Sequence, residues 1–113
     1  MAEHITIRNA AGTWVVRAGG AILGESDRAL ELTEGSYPPV IYFPREDVGM
    51  AFLEKSDSST RCPHKGVASY YTVCLPAGDM PDAAWSYEAP IASMAAIAGH
   101  IAFYTDRITV ERL

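Results

Sequence analysis

The sequence lacks most of the features that assign a protein to a class at a glance. Its 113 residues hold only two cysteines, Cys62 and Cys74, too few for a disulfide framework and read here as reduced thiols. No run approaches the roughly 20 apolar residues that a membrane helix needs, so no membrane partner is expected. The opening "MAEHITIRNAAG" has an early Glu and no apolar stretch, unlike a secretory leader, and a cytoplasmic protein is expected. Nine Lys and Arg face 14 Asp and Glu, a net charge of −5 without any block of like charges, so no nucleic-acid partner is expected either. A GxxxxGK[ST] phosphate loop is missing, and so is the CxxC spacing of structural zinc sites.

What is present is an ordinary globular balance, 49% apolar and 20% charged, in a length that suits one domain spanning residues 1–113. The dominant period is two. "HITIR" (4–8) and "TWVVR" (13–17) flank "NAAG", which predicts a hairpin. "AIL" (21–23) and "ALEL" (29–32) follow. "PPVIYF" (38–43) opens with two prolines that cannot donate to a ladder, which suits a strand start or an edge. "VASYYTVCL" (67–75) is the longest strand candidate, with Cys74 read as a small core residue; "AAWSYE" (83–88) is short and aromatic. "GHIAFYTDRITVERL" closes the chain as two strands around a "TDR" turn. Helix signals are confined to a turn or two in "PREDVGMAFLEK", where Gly49 weakens the pattern, and to "IASMAAIAG" between Pro90 and Gly99. The pattern predicts an all-β, mainly antiparallel fold.

Two loops carry most of the chemistry. "FPREDV" (43–48) joins the guanidinium fork of Arg45 to two carboxylates, either as a functional loop or as a capped turn with a local ion pair. "SDSSTRCPHKG" (56–66) is read as a long loop, either solvated or a nest of backbone N–H groups around an anion, with Lys65 as point charge. Cys62 and His64 form a C-x-H pair that does not match a structural zinc spacing, so no metal is assigned; a thiolate nucleophile at Cys62 is a further alternative. Trp85 and Tyr87 share a strand face and either wall a pocket or cover the core.

Together, "YFPREDV", "L..S...TRCPHKG.ASYY", "D.AW.Y..P" and "I.GHIAFY.DRI.V", with "GESDRALEL…GSYPPVIYF" before them, resemble domain-of-unknown-function family 427, also labelled nucleotidyltransferase-like. The resemblance runs from about Arg17 to Val110. It implies a β-tent, a pair of antiparallel sheets meeting at an angle, similar to methionine sulfoxide reductase B and to the thalidomide-binding domain of cereblon. Those relatives carry zinc in two CxxC knuckles, which this sequence lacks. The family's characteristic positions match at Tyr42, Pro44, Arg45 and Asp47, at Ser56, Thr60, Cys62, Pro63, Lys65 and Gly66, and at Tyr70, Tyr71, Trp85, Tyr87 and Pro90. Ala89 replaces a usual acidic residue, and His64 stands where an aromatic is common.

The resemblance favours one shared pocket for a small polar or anionic molecule, with no cofactor. Arg45 and Lys65 would clamp the anion, and Asp47 would orient it or act as base, making Asp47 and Lys65 the candidate catalytic groups. Tyr42, Thr60, Cys62, Tyr71 and Trp85 complete the candidate ligand-binding set. The alternative is a non-catalytic interaction module in which an Arg45–Asp47 pair is structural and the aromatic face meets a partner, a homodimer included.

Overall fold

Side chains alternating between apolar and polar build the chain into antiparallel strands, and the partners of each strand decide which core it serves. The structure, a computed structural model, describes residues 4–113 and is all-β. The strands are β1 (Ile5–Asn9), β2 (Trp14–Ala18), β3 (Ala21–Ser26), β4 (Leu30–Glu34), β5 (Val40–Tyr42), β6 (Leu53–Cys62), β7 (Gly66–Leu75), β8 (Gly78–Ser86), β9 (Ala102–Phe103) and β10 (Thr109–Arg112). They form three sheets, ordered β1-β4-β5, β10-β2-β3 and β6-β7-β8-β9. Phe43 and Ile101 exchange two backbone hydrogen bonds of 2.8 Å, joining the first sheet to the third. With that joint counted, the expected pair of sheets is recognisable as one long sheet and one short one.

Two apolar cores lie on opposite faces of the long sheet, and residue parity assigns side chains to them. Along β5 and the residue that follows it, Val40 and Tyr42 enter the second core while Ile41 and Phe43 enter the first. In β7, Ala68 and Tyr70 face the second core and Tyr71 and Val73 the first. In β9, Ala102 and Phe103 divide in the same way. The short sheet covers the first core with Val16, Ala18 and Leu23; β1 and β4 cover the second with Ile5, Ile7, Leu30 and Leu32.

Three expectations need correction. The hairpin between residues 4–8 and 13–17 does not form: β1 pairs with β4, and β2 with β3 and β10. The two strands serve different cores, and the Ala10 N–H bonds to the Ala29 carbonyl at 2.9 Å, continuing the β1–β4 ladder. Residues 56–62, read as loop, belong to β6. This is the sheet's outer strand, solvated over most of its length, so hydroxyl and charged side chains replace the alternation that normally betrays a strand. Cys74 is only half-buried and belongs to neither core.

The helical signals become 3-10 turns. Arg45–Asp47 and Met50–Phe52 are separated at Gly49, whose N–H bonds to the Leu23 carbonyl at 2.7 Å. Ala92–Ile97 drops Met94 and Ile97 into the second core.

Candidate functional site

The cleft arises where the sheet joint fails. Extended beyond the Phe43–Ile101 pair, the ladder would set Ile41 opposite Phe103 and Val40 opposite Tyr104. The two edges part instead, because β9 stays with β8 through the Tyr104 N–H bond to the Ala83 carbonyl, while Pro38 and Pro39 lead β5 away without donors to offer. All four residues line a cavity of about 570 Å³, walled also by Trp14, Trp85 and Val110. A second cavity of about 520 Å³ adjoins it on the side of the second core, and Tyr37, Pro38, Val40, Trp85 and Tyr104 line both.

Aromatic groups dominate this groove. The Trp85 and Tyr104 rings stand 4.6 Å apart, centroid to centroid, and Tyr42 meets Trp85 edge-on at 6.3 Å. Trp85 Nε1 donates to the Tyr42 hydroxyl at 3.2 Å, so the indole's polar edge is used internally and its ring remains a wall. Burial, with help from Tyr70, pushes the Tyr104 phenol up to about 12; Tyr87, enclosed more deeply, is raised as well. Both are neutral donors at physiological pH.

The groove's floor is an ion pair. Leu30, Leu32 and Glu34 alternate onto one face of β4, and Glu34 Oε1 accepts from Lys65 Nζ at 2.6 Å. Lys65 is buried, held by the tight turn in which its own N–H bonds to the Cys62 carbonyl at 3.1 Å, and its ammonium lies 6.0 Å from the Tyr87 ring. Burial lowers the Lys65 pKa, but the bonds to Glu34 and Cys62 more than offset it and the group titrates above its ordinary value. The carboxylate of Glu31, beside the other cavity, is held by Arg8 at 2.9 Å.

The remaining expected residues do not meet here. Tyr42, Lys65 and Trp85 line the groove, and Cys62 packs against the second core beside Lys65. Thr60 binds the Tyr70 hydroxyl at 2.9 Å from the outer strand. Arg45 and Tyr71 belong to the opposite face of the sheet. Arg45 Nε donates to the Gly99 carbonyl at 3.0 Å, and its Nη atoms reach Tyr71 at 3.4 Å, Ser86 at 3.5 Å and Glu88 at 3.1 Å. Glu88 also accepts from the Tyr71 hydroxyl and from Lys55 at 2.9 Å. Burial alone would raise the Glu88 carboxyl; those bonds and the neighbouring cations hold it below the ordinary carboxylate range.

Asp47 lies in a third place. It accepts from Ser26 at 2.6 Å and from Arg28 at 3.2 Å, so the expected Arg45–Asp47 pair is replaced by Arg28–Asp47 and Arg45–Glu88. Within the 3-10 turn the two side chains are two residues apart and diverge. Sequence reading missed Glu34, Lys55, Ser86, Glu88 and Tyr104 as members of the groove or the clamp. Only Tyr104 carried a signal, since its place two residues before the "DR" turn puts it at a strand end.

No curated protein matches the chain. A family model described as "Domain of unknown function (DUF427)" matches residues 6–113, so the chain belongs to the DUF427 family.

Proposed function

We propose that this domain binds a small organic molecule in the aromatic groove between β5 and β9. The observation that carries the reading is the pair of adjoining cavities, about 570 and 520 Å³, sharing the Trp85–Tyr104 wall; each is within the usual size of small-molecule sites. The ligand's ring lies against that wall and its polar end reaches Lys65 and Glu34. Arg45 and Asp47 take no part, because neither lines the groove: Arg45 is tied to Gly99 and Glu88 on the other face of the sheet, and Asp47 to Ser26 and Arg28. A nucleotidyl substrate fits less well: its base suits the wall, but its phosphates would face Glu31 and Glu34. The free thiols of Cys62 and Cys74 support a reducing, cytoplasmic setting.

The test is a fragment screen read by NMR at the Trp85 indole N–H, repeated on Tyr104→Ala. Hits should shift that resonance and weaken about tenfold in the variant, the scale of one lost stacking partner. Hits that cluster around Arg45, or binding indifferent to the variant, would refute the reading.

A further inference from the structure

We infer that the groove selects an uncharged ring compound bearing an amide-type head, a hydrogen-bond donor beside an acceptor, over the matching carboxylate or organic cation. This rests on the binding reading above and adds the ligand's charge and head group to it.

The first ground is charge balance. The ionised groups that line the two cavities are Glu31, Glu34 and Lys65, and each already has an opposite partner: Glu34 with Lys65 at 2.6 Å, Glu31 with Arg8 at 2.9 Å. An anion approaching Lys65 must displace or crowd Glu34, and a cation drawn to the second oxygen of Glu34 would set two positive charges, its own and that of Lys65, on one carboxylate. In a partly buried site either leaves a charge uncompensated, which costs more than the new contact returns. A neutral head avoids both penalties.

The second ground is the hydrogen-bonding inventory. Glu34 uses one carboxylate oxygen on Lys65, and among the bonds of the described residues the other remains an acceptor. The buried Tyr42 hydroxyl accepts from Trp85 Nε1, and among the bonds of the described residues its own proton has no acceptor. The Tyr87 hydroxyl, also on the groove, has no protein partner among them. The groove therefore carries an acceptor on Glu34 and phenolic donors on Tyr42 and Tyr87, the complement of an amide edge. The aromatic wall supplies the flat surface for the ring that carries it.

Benzamide, benzoate and benzamidinium share one shape and differ in charge, so their dissociation constants, measured by NMR titration at the Trp85 indole N–H, isolate the effect. Wild type should bind benzamide at least about tenfold more tightly than either ion. Glu34→Gln removes the negative partner and should reverse the order, so that benzoate overtakes benzamide. Lys65→Met should favour benzamidinium. If benzoate or benzamidinium binds wild type more tightly than benzamide, the charge inference is wrong while the groove stands. If none of the three moves the Trp85 resonance while unrelated fragments do, the amide head is wrong. Should nothing bind there, the groove reading and this inference fall together. The wild-type series decides the matter even if a variant fails to fold.

Discussion

Arg45 is the residue whose role the structure changes most, and replacing it with alanine separates a clamp from a ligand site. The substitution removes the 3.0 Å bond to Gly99, the 3.1 Å ion pair with Glu88 and the placement of the guanidinium 5.7 Å from the centre of the Tyr71 ring. It also deprives the fully buried Ser86 hydroxyl of its 3.5 Å contact. The Arg45 side chain is 37% exposed, so the ion pair is discounted to the surface scale of about 0.2–1 kcal/mol. The carbonyl bond and the ring contact are better shielded and bring the expected loss to about 2–3 kcal/mol. For a chain of this length that lowers Tm by about 10 °C, readable by calorimetry or circular dichroism. Arg45→Lys keeps the charge without the fork and should recover only a small part. Binding in the groove, on the other face of the sheet, should stay within about twofold for any fragment hit. A melting point within about 2 °C of wild type, together with lost binding, would refute the clamp and restore Arg45 to the ligand site.

The same clamp should govern acid stability: Glu88 has a folded pKa below its ordinary 4.5, so its contribution is complete above that value and is lost as pH falls through the folded one. Glu88→Gln should flatten the acid limb of a Tm–pH profile; an unchanged limb would contradict it. A Cβ at Gly24 would lie 2.8 Å from the Asp47 carbonyl oxygen and 3.2 Å from the Val48 Cα, so Gly24→Ala should cost about 1–3 kcal/mol in urea unfolding. A neutral result there would mean that the Gly24–Val48 bridge can open without cost. Asp82 has a φ of 51° and accepts from Ser58 at 2.7 Å, so Asp82→Gly should destabilise less than Asp82→Ala in thermal melts. The reverse order would show that backbone strain at this position does not matter.

The legible parts of the fold were those in which one strand carries its own evidence. The run at 67–75 is long, apolar and β-branched, and it became β7; the double proline marked the end of β5 that parts from its neighbour. Pairing was not legible, because alternation reports that a strand has a buried face and not which strand lies beside it. Hence the short "NAAG" connection suggested a local hairpin, where β1 in fact crosses to β4. The wet edge strand β6 had no buried face over most of its length and so no pattern to read. Among the residues that line the groove, Tyr42, Lys65 and Trp85 had been singled out from residue type and family resemblance. Glu34 and Glu88 were not, since each meets its cation across 31 or 43 residues of chain, a proximity that only the sheet register creates.

The strand end at residues 85–88 has a consequence for how this protein can vary. Trp85 and Tyr87 turn to the groove, Ser86 and Glu88 to the Arg45 clamp, one residue after another. Because the two surfaces are interleaved in a single segment, point substitutions on one are nearly silent on the other, and ligand preference can drift while the clamp is kept. A change of length has the opposite character. Deleting or inserting one residue here would send a carboxylate into the aromatic groove and a ring into the clamp, so this segment should accept new side chains readily and resist any insertion or deletion.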